Sequence, residues 1–463
     1  MTRTDLLRPH AHVHLGVFFQ GVNHSTIWSD PASGSQIDFA TFRRIITTAE
    51  RGLFDAFFLG EGLRLREQRG QLHDLDVVGR PDAITQLAAL AAITTHIGLV
   101  ATQNVTYNDP ADLARRLASL DVLSGGRAAW NIVTTDNAWT GENFRRGGWL
   151  EHSQRYARAG EFVRAAQAIW NGWDDAALTQ QPVTFTGTTV DLTTVPTLPR
   201  SPQGHPVLFQ AGDSPDGRDF AVSHAEVIFS AHGSDYDDAL AFAEDIRARS
   251  RAIGRDPDAV KILPGTQFVL GDTPAEALEK ARWVKEQQVT PATALSLLGQ
   301  VWGEDLSGYD PDGPLPAHDP AIAEIDGTRG SAQHGRSPHE IARALRARAE
   351  AENLSIRELI IAQERQRGFV GTPSAVADEL VRWVRTGASD GFNITPWIVP
   401  SGLDDVVDQL VPELQERGAY RTEYSATTLR GHLGLSDPRT PCAGTDAGQG
   451  EVVPPQEALS PLA

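Results

Sequence analysis

Between Ile97 and Trp173 the chain runs twice through one pattern: a short apolar run, a polar stretch, then a long segment with apolar residues at helical spacing. The first pass is Ile97-Gly-Leu-Val-Ala-Thr102, then Asn104-Val-Thr-Tyr-Asn-Asp109, then a segment capped by Asp109 with Pro110 at its first helical position. Leu113, Leu117 and Leu120 form its inner stripe, and Ser124-Gly125-Gly126 ends it. The second pass has Ala128 to Thr134 as the apolar run. Its helix spans about 151 to 173, with apolar residues at 156, 159, 163, 166, 170 and 173. Strands separated by helices cannot pair as hairpins. They pair in parallel through right-handed crossovers, which collects their polar carboxyl ends on one face.

The same grammar extends over most of the chain. Apolar runs at 12–19, 54–59, 97–102, 128–134, 205–211, 225–231, 261–270 and 391–399 read as eight strands. Helical patterns cover 38–51 (stopped by Gly52), 82–95, 236–253 and 373–386 (stopped by Gly387). The expected architecture is α/β, a (β/α)8 TIM-type barrel over residues 1–435. The Thr- and Pro-rich stretch 182–202 reads as a β-hairpin excursion. About 120 residues separate strands seven and eight, too many for one crossover. Helical patterns at 338–350 and 356–366 place a helical insertion at about 280–368, with a candidate lid around 325–336. Residues 436–463 are rich in Pro, Gly and Ala and read as a disordered tail.

A formal net charge of −19 argues against a nucleic-acid or anionic-membrane surface. The single cysteine, Cys442, lies in the tail and allows neither an internal disulfide nor a cysteine metal cluster. No signal peptide or membrane-spanning run is expected, which makes the cytoplasm the default location. No Gly-x-Gly-x-x-Gly follows a strand, so no nicotinamide-dinucleotide site is expected.

Several groups of residues could carry chemistry. Asn104, Thr106, Asn131, Thr134 and Thr135 sit at or past strand ends, where uncharged donors and acceptors suit a large heteroaromatic ligand. The loop Gln210-Ala-Gly212-Asp-Ser214-Pro-Asp-Gly-Arg218 follows a strand and opens a helix. Gly212 lets backbone approach an anion, and the helix N-terminus offers free N–H groups, although a plain capped helix start fits the same residues. His152 and Tyr156 share a helix face, either toward a ligand or as a surface histidine and a core tyrosine. His10, His12 and His14 alternate along the first strand and could bind a metal, as in a barrel hydrolase, but they lie at its amino end.

The stretches Ala49–Ala56, Ala101–Asp109, Leu120–Thr135, Glu151-His-Ser-Gln-Arg-Tyr156, Gln210–Gly217, Phe369–Pro373, Asp390–Asn393 and Arg417–Tyr424 together resemble one family. It is the nitrilotriacetate, dibenzothiophene-sulfone and EDTA monooxygenase group of the bacterial luciferase-like FMN-dependent enzymes. The resemblance implies a two-component monooxygenase, a homodimer or homotetramer, that takes FMNH2 from a separate NAD(P)H:flavin reductase. In that family the reduced flavin and O2 form a C4a-(hydro)peroxide that oxygenates or cleaves a small organic substrate. It implies flavin contacts at Asn104, His152, Tyr156 and Ser214, with Ser214 on the phosphate. Glu61 stands where relatives carry aspartate, so its flavin contact is shifted. His24 and Trp28 match a loop on the substrate side, although Trp28 also reads as a packing residue. The alternatives are flavin-dependent degradation of a heterocycle such as riboflavin, a flavin binder without oxygenase activity, and a metal-dependent hydrolase using His10, His12 and His14.

Overall fold

The computed structural model describes residues 8–19, 25–60, 62–64, 67–68, 71–72, 79–135, 138–141, 143–144, 152–322, 337–363 and 368–438, with backbone alone at 67–68, 71–72, 138–139 and 152–153. His24, Glu61, the 325–336 segment and the tail beyond 438 lie outside these residues, as does the His152 side chain.

Eight parallel strands close on themselves: β1 (His14–Phe19), β2 (Ala56–Leu59), β3 (Gly98–Asn104), β4 (Ala128–Val133), β5 (Val207–Gln210), β6 (Val227–Ser230), β7 (Lys261–Leu270) and β8 (Gly391–Ile394). Each pairs with the next, and β8 returns to β1 through His14↔Gly391 and Val17↔Ile394. This is the TIM-type barrel expected from the alternation. Beyond its pairing with β6 and β8, β7 continues and carries a short extra strand, Gly368–Gly371.

The helices pack outside: α1 (Phe39–Arg51), α2 (Ala83–Ala91), α3 (Pro110–Leu123), α4 (His152–Asn171), α5 (Pro215–His224), α6 (Tyr236–Ala252), α7 (Pro274–Gln288), α8 (Pro291–Trp302), α9 (Pro338–Glu352), α10 (Ile356–Gln363) and α11 (Pro373–Thr386). Several open on a hydroxyl or carboxylate cap followed by proline: Asp109-Pro110, Ser214-Pro215, Thr273-Pro274 and Thr372-Pro373 each accept a first-turn backbone N–H. The inner stripe of α3 is fully buried at Leu113, Leu117 and Leu120. The Val183–Thr186 and Asp191–Thr194 strands form the expected hairpin. Helices α8, α9 and α10 share a cluster of their own around Leu298, Trp302, Ile341 and Leu359.

Some boundaries differ from the sequence reading. The eighth strand stops at Ile394, because Pro396 cannot donate to a ladder and the chain turns through Trp397. β3 runs two residues further than expected, to Asn104. Gly52 ends α1 at φ −80°, so its small size is needed for packing instead. A Cβ there would lie 2.6 Å from Val407, and Leu53 takes the positive φ of 59°.

The barrel interior is plugged from its amino end. Leu429 and Leu433, on and after the short helix Leu429–His432, join Val100, Ala129, Val207 and Val227 in one cluster. A Cβ on Gly98 would lie 2.5 Å from Leu429, so the strand needs glycine to admit the plug.

Candidate active site

Inward-facing residues alternate along each strand, and their character changes up the barrel. Phe18 and Phe58 stand 4.7 Å apart, with Phe229 at 5.2 Å and 5.8 Å from them and Phe209 at 6.0 Å from Phe58. These rings make an apolar floor. Two residues further along β3 and β4 the wall turns polar: Thr102 pairs in register with Asn131, whose Nδ2 donates to Thr102 Oγ1 at 3.1 Å.

Asn104 is the last residue of β3 and is 1 % exposed. Its Oδ1 accepts the Tyr107 N–H at 2.7 Å, and its carbonyl accepts Asn108 Nδ2 at 2.7 Å, which fixes the β3–α3 loop. Among the described residues its own Nδ2 is buried without a partner, and so are Asn131 Oδ1, Asn393 Oδ1 and Ser230 Oγ. A buried polar atom left unpaired costs about 1–3 kcal/mol, and four at strand carboxyl ends are the pattern of a polar ligand site. Asn393 escaped the sequence reading as a contact. Its place two residues after Gly391 on one strand face was the signal available.

Thr106 Oγ1 donates to the Thr135 carbonyl at 2.9 Å, tying the β3 loop to the end of β4. Thr106 therefore braces the wall. Thr134 is half-buried, and its carbonyl accepts Arg155 Nη1 at 3.1 Å. The next residue on α4, Tyr156, reaches the opposite side. A Cβ built on Gly217, in the first turn of α5, would lie 2.9 Å from the Tyr156 hydroxyl. Helix α4 thus joins the β4 wall to the start of α5.

That start is closely built. Ser214 caps α5 through Oγ, which accepts the Gly217 N–H at 3.1 Å. Gly212 N donates to Gln210 Oε1 at 2.7 Å, and a Cβ on Gly212 would lie 2.4 Å from Gln210 Nε2 and 2.9 Å from Gly217 Cα. Two glycines therefore pack backbone on backbone beside a tyrosine hydroxyl and a helix N-terminus, the setting in which N–H groups hold a phosphate. Asp213 lies in the same loop. Burial works against its charge, but His232 and Arg218 outweigh burial and hold its carboxyl below the ordinary range.

Trp28 is half-buried, edge-on to Phe19 at 6.1 Å, and packed against the core shared with the outer helices; its Nε1 is buried without a partner among the described residues. The packing role is the one these contacts display. At the other end of the barrel His14 Nδ1 lies 3.1 Å from Asp55 Oδ1, while His10 and His12 are exposed. No group of three or more His, Cys, Asp or Glu side chains among the described residues is placed to hold a metal ion.

Residues 13–390 match the sequence profile described as luciferase-like monooxygenase. The chain belongs to the luciferase-like monooxygenase family. It is similar to N-acetyl-S-(2-succino)cysteine monooxygenase from Bacillus subtilis strain 168, 37 % identical over 446 residues that cover 92 % of this chain and 97 % of that protein. It is also 37 % identical over 460 residues to nitrilotriacetate monooxygenase component A from Aminobacter aminovorans, covering 93 % and 98 %. Among solved structures, a riboflavin lyase with modified FMN and its substrate riboflavin superposes with a TM-score of 0.75 at 29 % identity, covering 92 % of this chain and 97 % of that one. The expected family, barrel and flavin-dependent monooxygenase class all stand, and a flavin cofactor goes with them. Among the described residues no helix is long and apolar enough to cross a membrane.

Proposed function

We propose that the carboxyl mouth of the barrel binds reduced FMN, delivered by a separate NAD(P)H:flavin reductase, and uses O2 to oxygenate or cleave a small organic substrate. The observation that carries this reading is the junction made by α4. It sets the Gly212–Gly217 cradle beside Tyr156 on one side and the polar wall of β3 and β4 on the other. The residues present fit a flavin mononucleotide: an anion cradle at one end, unpaired amide atoms at the strand ends, and an aromatic floor beneath.

When bound, reduced FMN would supply the electrons that activate O2. The chain's own residues bind, orient and shield it. The positive end of α5 and the Ser214 hydroxyl would hold the phosphate, with the Tyr156 hydroxyl at the same turn. Asn104, with Nδ2 to donate, and Asn131 and Asn393, with Oδ1 to accept, would meet the polar edge of the ring. The Phe18, Phe58, Phe209 and Phe229 floor keeps water from below. His152 is assigned to the same flavin, and Glu61, His24 and Trp28 to the ring edge and substrate side, from the family resemblance. On the same grounds the enzyme works in the cytoplasm as a homodimer or homotetramer.

A second reading, cleavage of riboflavin or a similar heterocycle, is favoured by the likeness to the riboflavin lyase. One experiment addresses both. The protein is supplied with a flavin reductase, NADH and 18O2, and offered compounds with C–S bonds, compounds with C–N bonds, aromatic heterocycles and riboflavin. The expected outcome is a product carrying one 18O atom that forms only with the reductase present. Products formed without flavin, or without label, would refute the reading.

A further inference from the structure

Asp213 poses a problem for the cradle, because it puts a carboxylate between Gly212 and Ser214, in the loop proposed to hold a phosphate monoester. The structure answers it with two donors on one oxygen. Asp213 Oδ1 accepts Arg218 Nη2 at 2.9 Å and His232 Nε2 at 3.0 Å. Arg218 Nε also donates to the Asp213 carbonyl at 3.0 Å, so the arginine fixes the loop itself.

His232 reaches in from the turn between β6 and α6, with its ring stacked on Phe242 at 4.4 Å and 24°. Its other nitrogen, Nδ1, lies 2.7 Å from Asp238 Oδ2. An ionised carboxylate only accepts hydrogen bonds, so a carboxylate on each ring nitrogen requires both nitrogens to donate. That species is the imidazolium. The charged groups around it are Asp213 from the β5–α5 loop, Arg218 from α5, and Asp238 from α6. Behind them Arg218 pairs with Asp245, and Arg249 pairs with Asp245 and Asp219. Four carboxylates face two guanidiniums, which leaves two negative charges in excess; the imidazolium cancels one.

We propose that His232 is a positioning residue for the flavin phosphate: as the imidazolium it holds and neutralises Asp213, and on losing its proton it leaves that carboxylate free to repel the phosphate. The inference rests on the reading of Gly212–Gly217 as the phosphate cradle. Burial disfavours the charged ring, but the hydrogen bonds to Asp213 and Asp238 outweigh burial and raise its pKa above the ordinary histidine value. The ring is therefore fully protonated below the ordinary histidine value and loses its proton only as pH rises through the raised one. The phosphate's own second ionisation lies near pH ~6, so above about pH 7 its charge no longer changes.

The test is equilibrium binding of oxidised FMN and of riboflavin, read by flavin fluorescence between pH 7 and pH 9. Wild type is compared with His232→Gln, Asp213→Asn and the double variant. Wild-type affinity for FMN is expected to weaken roughly three- to fivefold over this range, the scale of one partly exposed charge pair, while affinity for riboflavin stays level. His232→Gln should bind FMN as weakly at pH 7 as wild type does at pH 9, without a pH trend. Asp213→Asn should remove the trend while binding FMN tightly, and should restore tight binding in the double variant. A His232→Gln profile parallel to wild type, or a trend surviving in Asp213→Asn, would overturn the role of His232 alone. Wild type binding FMN no more tightly than riboflavin would overturn the cradle, and this inference with it.

Discussion

Replacing Gly217 with alanine separates a helix-propensity argument from a site argument, because the two point in opposite directions. Gly217 sits in the first turn of α5 and has no positive φ, so alanine in an open helix there would gain about 0.5–1 kcal/mol. The cradle reverses the sign. A Cβ at this position would stand 2.9 Å from Tyr156 Oη and 3.0 Å from both Cα and C of Gly212. Carbon atoms at ease sit roughly 3.5–4.0 Å apart, so the Gly212 backbone or the Tyr156 ring must retreat by about half an ångström. Overpacking of this kind costs typically about 1–3 kcal/mol, which leaves Gly217→Ala less stable than wild type. The displaced groups are two edges of the proposed phosphate site. Losing one hydrogen bond to a charged group, worth about 1.5–3 kcal/mol, weakens FMN binding by roughly tenfold or more. The assay is thermal unfolding alongside titration with FMN and with riboflavin, which lacks the phosphate. A more stable Gly217→Ala protein with unchanged FMN affinity would show that Gly217 is not packed into a phosphate site.

Other expectations follow from the same contacts. Ser214→Ala removes both the helix cap and a hydroxyl available to the phosphate; it should cost about 1 kcal/mol of stability and, by about 1.5–3 kcal/mol, weaken FMN but not riboflavin, as calorimetric titration would show. Asp55 is fully buried at the amino end of the barrel, bonded to Arg421, to His14 at 3.1 Å and to the Leu15 N–H at 2.9 Å. Burial alone would raise its pKa, but Arg421 and His14 hold it down at about 2. Asp55→Asn leaves Arg421 buried beside a neutral amide and should cost about 3–5 kcal/mol in chemical denaturation, with FMN binding unchanged in the folded fraction. Burial, with Arg421 for His432 and with Arg164 and Arg255 for His224, pushes both imidazoles down to about 4. Both are neutral in the fold and protonate more readily when unfolded, so stability should fall as pH drops from 6.5 towards 4. Asp121, raised to about 6 chiefly by burial, works in the opposite sense. Replacing His224 and His432 with asparagine should flatten the fall in denaturation midpoint, and an unchanged slope would count against these two groups.

Much of the architecture was legible because periodicity reports burial directly. The 3-4 stripe of α3 and the Asp109-Pro110 start were readable to the residue, and Lys261–Leu270 and Pro373–Thr386 match the sequence boundaries. What was not legible depends on partners distant in sequence. The extra strand Gly368–Gly371 exists because β7 outruns its barrel neighbours, which no local pattern around Phe369 announces. The plug at Leu429 is matched to Gly98 some 330 residues away, and either residue alone reads as ordinary. In the site, strand ends exposed Asn104 and Asn131 to a sequence reading, but not that one atom of each would be left unpaired. The role given to His232 depends on three elements meeting around one ring, and spacing carries no trace of it.

Flavin binding at the barrel mouth is measured most directly by anaerobic titration of the protein with reduced FMN and, in parallel, reduced riboflavin. Saturable binding of one flavin per chain is expected, with reduced FMN held at least roughly tenfold more tightly through the phosphate cradle. Absence of saturable binding, or equal affinity for the two flavins, would contradict the proposed flavin site.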